Sequence, residues 1–344
     1  FMRSWWYFNL YRTFGVVPIA RTVVPPAAAK LIPRCTEEEM YSLLTEDLAE
    51  AARLLPDTRN AEKARVTGIA AYTLLAKVYL TFGKHAEART ALDEAMKATG
   101  YGLESTTKRV FDINNKMNKE VIFALYYNKT NDNGHGYWYS ANTDVMADIR
   151  NPTPEFKAIY DESDNRLALI DTYTKIQSNL FAMTKWYDTY DATYTTQVGN
   201  DFPHLRYADI TLMYAEALNE VDYASNSGEI LHYVNLVRNR AGQPNLEDKP
   251  GFQATQAYVR ECIRKERIVE LCYEDQIYFD YKRWKVGDKY IGGNMYGMKI
   301  TGDMANPTFS KFLYETRVWS SKWYLFPLYQ TDVLTTNGVL AQNP

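Results

Sequence analysis

Apolar residues return every three to four positions through much of this chain, a spacing that gathers them on one face of a helix. Residues 1–14 carry Trp5, Trp6, Phe8, Leu10, Tyr11 and Phe14 and run into Gly15, a C-capping residue type. The next stretch, 16–30, reads as extended because Pro18, Pro25 and Pro26 oppose helix. Thr36-Glu37-Glu38-Glu39 then has the form of a capping box, with acids in the first turn where the helix dipole favours them. The helix it opens sets Met40, Leu43, Leu44, Leu48, Ala51 and Leu55 at helical spacing and stops at Pro56. Further helices are predicted over 63–82 (Ala70, Leu74 and Val78 on the apolar face), 85–98, 205–218, 229–240 and 255–279. The last of these runs into a charged stretch, Ile263 to Trp284, which reads as one long helix.

The pattern breaks in two places. Glu120-Val-Ile-Phe-Ala-Leu-Tyr-Tyr127 is β-branched and aromatic, as a strand would be. Residues 128–201 are polar, aromatic and irregular, and a glycine-rich loop region follows Trp284 (Gly287, Gly292, Gly293, Gly297). Loops of that length in a helical protein are usually functional. Small residues at 68, 70, 71 and 76 permit close helix approach, and the helix–turn–helix over 68–98 has the pattern of tetratricopeptide-like pairs without a strict period. The expected fold is mainly α. A tetratricopeptide-like scaffold (about 1–110 and 203–284) carries a loop-rich ligand face (about 128–202 and 285–323) with a few short strands, all in one domain over 1–344.

Composition narrows the function classes. With 46% hydrophobic and 24% charged residues the chain is globular in type, and a net charge of −3 offers nucleic acid no basic footprint. No run of eighteen apolar residues occurs, so no helix is predicted to span a membrane. Cys35, Cys262 and Cys272 form no ligand motif, and the four histidines are scattered; neither a metal nor a cofactor is expected. The apolar start at Phe1 reads like the middle of a helix, as if the beginning of a longer chain were missing.

Glu266, Glu270 and Glu274 follow one another at four-residue intervals, which stacks three carboxylates on one helix face. Two readings compete: a catalytic carboxylate cluster, or a buried ion network. Sugar hydrolysis needs two carboxyl groups facing each other across a cleft at roughly 5–9 Å. A row on one helix beside arginines fits a network better, with Arg206, Asp209, Glu216 and Arg267 as the other members. Arg238, Arg240, Lys282 and Arg283 are further basic partners within reach of the same reading.

Several segments in order resemble the SusD/RagB family. They are Leu205-Arg206-Tyr-Ala-Asp209 through Leu218, Val234-Asn235-Leu-Val-Arg238-Asn-Arg240-Ala-Gly242, and Glu266-Arg267-Ile-Val-Glu270 through Arg283-Trp284. Leu325-Phe-Pro-Leu, Gln342-Asn-Pro344, Tyr11-Arg12-Thr-Phe14-Gly15-Val-Val-Pro18 and Asp47-Leu-Ala-Glu-Ala-Ala52 complete the set. Val16 departs from the family pattern, where an acid is common, and Asp275-Gln276 stands where glycine is frequent. The resemblance implies a non-enzymatic lipoprotein on the outer face of the outer membrane. Its implied partners are a glycan ligand and a TonB-dependent, SusC-like transporter, and its lipid anchor would lie outside this sequence. It also implies that ligands meet the loops rather than the helices, and that Trp284, with Trp5, Trp6, Trp319 and Trp323, belongs to the core.

Sugars present flat C–H faces ringed by hydroxyls, so a binder needs exposed aromatic faces beside polar groups. His135, Tyr137, Trp138 and Tyr139 qualify, with Trp186, Tyr187, Asp188 and Tyr190; Asn133 and Asp191 add hydrogen-bonding company. Tyr290 and Tyr296 are second-rank candidates. At about 0.5–1.5 kcal/mol per stacked ring, two or three rings give micromolar-to-millimolar binding. The competing expectations are a peptide binder, a helical scaffold that docks a protein, and a helical-barrel glycoside hydrolase.

Overall fold

The computed structural model describes residues 1–57, 65–128, 152–170, 172–173, 181–182, 185–186, 199–303 and 306–343. Helix α1 (Met2–Phe14) ends at Gly15, whose φ of 76° needs a residue without a Cβ. Residues 16–30 are not wholly extended as expected: Pro26 starts the one-turn helix α2 (Pro26–Ala29), since proline suits a first helical position. Helix α3 (Glu37–Leu54) opens on the capping box. The Glu39 amide donates to Thr36 Oγ1 (3.1 Å) and the Thr36 amide to Glu39 Oε2 (2.7 Å).

Helix α4 (Gly68–Thr81) is apolar on nearly every side and correspondingly buried from Gly68 to Ala71 and from Thr73 to Val78. It is the centre of the scaffold. α3 packs on one side and α5 (His85–Met96) on the other, where Ala88, Ala91 and Ala95 let the backbones close up. One-turn helix α6 (Thr107–Val110) leads to strand β1 (Val121–Leu125), and α7 (Pro154–Lys157) and the short pair β2 (Thr172–Tyr173) and β3 (Phe181–Ala182) follow. Strand β4 (Phe202–Arg206) pairs antiparallel with β1 in register Val121↔Arg206. Leu205 and Arg206 therefore belong to a strand, not to the helix predicted from 205.

That helix, α8 (Tyr207–Arg240), joins the two helices expected at 205–218 and 229–240 across a kink at Asp222 (φ −163°). It packs on α5 and on α9 (Gln256–Leu271). The stretch read as one helix through Trp284 breaks after α9. Tyr273 and Asp275 take left-handed φ values of 61° and 56°, and α10 (Ile277–Arg283) starts afresh. Helix α11 (Gly287–Tyr290) then introduces a long hairpin, β5 (Gly293–Asp303) and β6 (Asn306–Arg317), where loops were expected. Gly297 faces Phe312 in that pair; a Cβ there would lie 2.5 Å from the ring. Alternation had been hidden by the glycines.

The tail, ending in helix α12 (Gln330–Thr335), is tied to the start of the chain. The Phe326 amide donates to Thr13 O (2.9 Å), and Asn343 Nδ2 donates to Phe14 O (3.0 Å) and Phe326 O (2.6 Å). Arg34 donates to Asn343 Oδ1 at 2.9 Å. The segments around Gly15 and Gln342-Asn343, far apart in sequence, meet here. No helix among the described residues is long and apolar enough to cross a membrane.

Candidate functional site

The acids at 266, 270 and 274 do converge with arginines, but not as a row on one helix. Glu266 and Glu270 stand on α9; Glu274 lies in the turn beyond it, and all three are buried. Glu270 is met by three guanidinium groups: Arg206 (2.7 Å) and Arg240 (2.5 Å) on Oε1, and Arg166 (2.9 Å) on Oε2. Arg206 also reaches Glu120 (2.7 Å) and Glu274 (2.6 Å), and Lys185 donates to Glu274 at 2.5 Å. Arg166 continues to Asp164 (2.7 Å) and Glu266 (2.7 Å), and Arg238 closes on Glu266 at 3.4 Å. Asp164, Glu120, Glu266, Glu270 and Glu274 are thus met by Arg166, Lys185, Arg206, Arg238 and Arg240, acid for base.

A second neutral group lies beside it. Asp209 pairs with Lys77 (2.6 Å) and Arg267 (3.0 Å), Asp280 with Arg267 (2.9 Å) and Arg283 (2.7 Å), and Glu216 with Arg283 (2.5 Å). Trp284, half-buried rather than fully enclosed, donates its indole N–H to Glu216 at 2.9 Å. Burial by itself pushes these carboxyls up. For Glu270 the charges of Arg240, Arg206 and Arg166 more than offset it and hold the group well below the usual carboxylate range. Lys77 and Arg267 likewise bring Asp209 to about 2, and Arg283 does so for Glu216. Every one of these acids is spent on a cation. A general acid needs an open face, and these buried, paired carboxylates have none.

The pairing joins elements that are remote in sequence: β1, the segments around 164 and 185, β4, both ends of α8, and α9. Sequence reasoning missed Glu120, Asp164, Arg166 and Lys185, and no local signal marks them. Lys77 sits in the apolar helix α4 and Asp280 in the family-like stretch, which is the one hint that was available.

Of the aromatic candidates, His135, Tyr137, Trp138, Tyr139, Tyr187, Asp188 and Tyr190 lie outside the described residues, as do Asn133 and Asp191. Trp186 is a core side chain and not an exposed ligand platform. It is 1% exposed, stacked on Phe202 (4.8 Å) and edge-on to Phe111 (4.5 Å), with its N–H donated to Tyr273 O at 3.2 Å. So nearly complete an enclosure leaves a sugar no access to the ring. Tyr296 is half-buried on β5 with Lys311 Nζ 3.9 Å from its ring centre, and Tyr290 stacks on Tyr281 at 4.7 Å. Trp6 and Trp323, expected in the core, are exposed; Trp5 is buried and Trp319 half-buried.

A cavity of about 890 Å³ opens between α1, the start of α3, α4, α10 and the tail segment 321–325. Its wall includes Tyr11, Arg12, Phe279, Lys282, Lys285 and Tyr324. Sequence reasoning did not mark it. Among the described residues no cluster of His, Cys, Asp and Glu could hold a metal ion.

Stacked helix pairs, a β-hairpin face and a tail folded back on the first helix define a tetratricopeptide-like scaffold. Residues 165–344 match the profile of the SusD family, and residues 1–80 match a profile described as starch-binding and associating with the outer membrane. The chain belongs to the SusD family. It is 27% identical, over its whole length, to SusD-like protein P2 of Formosa agariphila, of which it spans 72%. It spans 63% and 57% of two further SusD-like proteins. A SusD-like protein from Bacteroides fragilis superposes with a TM-score of 0.81 at 25% identity, covering 99% of this chain and 78% of that one. Surface glycan-binding protein A from Bacteroides thetaiotaomicron, solved in complex with laminarihexaose, superposes at 0.72 with 19% identity, over 99% of this chain and 76% of that one. The family match points to outer-membrane association.

Proposed function

We propose that this chain is the binding body of a non-enzymatic, lipid-anchored glycan receptor on the outer face of the outer membrane. It captures oligo- or polysaccharide and delivers it to a TonB-dependent, SusC-like transporter. The observation that carries the reading is membership of the SusD family, with a fold shared by a protein solved in complex with laminarihexaose. The spent acids support a binder over a hydrolase, because no described carboxylate of the cluster is free to act as acid or nucleophile.

Ligand contact falls to the aromatic stretches 133–139 and 187–191, with Tyr296 on the hairpin as a further candidate. Weak, ring-by-ring affinity suits a tethered receptor, for which a long glycan and a neighbouring transporter raise the effective concentration. The test is a titration of the full-length protein against a panel of soluble glycans, with reducing-end release followed in parallel. Saturable binding with no release is expected. Binding of short peptides alone, or release of reducing ends, refutes the reading.

A further inference from the structure

The cavity at the α1–α10–tail junction lies within the roughly 300–1,000 Å³ range of small-molecule sites. Its wall is unlike the two ion networks. Lys77, Arg267 and Arg283 reach it but are already neutralised by Asp209, Glu216 and Asp280. Four more cations line it: Arg12, Lys282, Lys285 and Lys322. Against them stands Glu37, which already accepts the Tyr11 hydroxyl at 2.6 Å.

Three of these cations have neutral partners. Arg12 donates to the Asn9 amide oxygen (2.6 and 3.1 Å) and lies 3.8 Å over the Phe279 ring. Lys282 donates to the Arg12 carbonyl, and Lys285 sits 4.6 Å over the Tyr324 ring. Burial, then the like charges of Arg12 and Lys285, push Lys282 down to about 8. Burial also lowers Arg12 to about 10, with the fields of Asp275, Asp280 and Asp209 opposing. Among the described residues, the buried cations Lys77, Arg166, Lys185, Arg206, Arg238 and Arg267 each meet an acid. Here the protein leaves like charges side by side around open space, which an incoming anion would relieve.

We propose that this cavity is a second ligand site, one for an oxyanion, carboxylate or sulfate ester, carried on a saccharide; the saccharide half rests on the glycan reading above. Arg12, Lys282 and Lys285 bind the anion, and Tyr11, Phe279 and Tyr324 offer rings to the sugar body.

The experiment is calorimetric titration of the full-length protein with trigalacturonate, with its neutral counterpart galactotriose, and with inorganic sulfate. It is run on the wild type, Lys282→Met and Lys285→Gln. Lys285 is exposed, so its replacement leaves the packing intact. The wild type is expected to prefer trigalacturonate about tenfold over galactotriose. Both variants should lose that preference while keeping the neutral affinity, and sulfate should compete with trigalacturonate. No preference in the wild type, or an undiminished preference in both variants, overturns the site. Sulfate binding that depends on Lys282, with neither sugar bound, retains the anion site and sinks the glycan reading instead.

Discussion

Replacing Glu270 by Gln keeps the size and shape of the side chain and removes its charge. In the folded protein that carboxylate is 0% exposed and touched by Arg206, Arg240 and Arg166. Taking one partner from a buried pair costs about 3–5 kcal/mol, because the remaining charge stays desolvated and uncompensated. Three guanidinium groups lose a partner here, which argues for the upper end. Each also keeps another acid: Arg206 has Glu120 and Glu274, Arg240 has Glu120, and Arg166 has Asp164 and Glu266. Those partners pull the value back, so a loss of about 3–5 kcal/mol stands against a typical total of about 5–15.

The control is Glu50→Gln. Its pair with Arg53 has side chains 55% and 66% exposed and is screened by solvent, so its loss should barely move the unfolding midpoint. Urea unfolding followed by far-ultraviolet circular dichroism measures both, with the slope checked for equality before midpoints are compared. If Glu270→Gln shifts the midpoint no more than Glu50→Gln does, the network is not what holds these elements together. A variant of native stability that lost a hydrolytic activity would restore the catalytic reading.

Other consequences follow from particular residues. His204 lies among Trp5, Phe123 and Phe202, and burial, then the charges of Arg12 and Lys77, lower its pKa from 6.5 to about 4. The unfolded chain takes up that proton first, so stability should fall by about 3 kcal/mol as pH drops from 6.5 to 4. In His204→Phe a pH series of melts should be flat over most of that window. A further loss below about 4.5 remains, as Asp209, Glu216 and Glu270 leave their lowered pKa values. Gly15→Ala forces a Cβ into a φ of 76° and to 3.1 Å from Leu325 Cδ1. It should cost about 1–2 kcal/mol and loosen the tail, seen as faster proteolysis near residue 325. Trp186→Phe should lose about 1–3 kcal/mol through the unfilled volume and the lost indole bond to Tyr273, with glycan affinity unchanged. A drop in affinity at native stability would return that ring to the ligand.

Helix periodicity, the Thr36–Glu39 capping box and the glycine stop at Gly15 are local rules, acting within a few residues, and so the scaffold helices α1, α3, α4 and α5 could be read along the chain. The same rules misled at Ile263–Trp284. The pattern there continues through 272–276, but Tyr273 and Asp275 turn the backbone left-handed so that Glu274 and Lys185 can meet. The acid row suggested a network from sequence; its true members did not follow. Glu120 and Arg206 lie 86 positions apart, and Arg166 and Glu270 lie 104 apart, so each pairing depends on the whole chain having folded. Burial was equally beyond reach for Trp186 and Trp6, whose side chains differ only in what covers them. The hairpin escaped because its alternation is interrupted by glycines, and the cationic cavity because its walls come from seven separate segments. The sequence by itself determined which stretches coil and to which family they belong. Which acids meet which bases, and which rings remain open to solvent, only the tertiary structure decided, because charge compensation and burial are properties of neighbours in space.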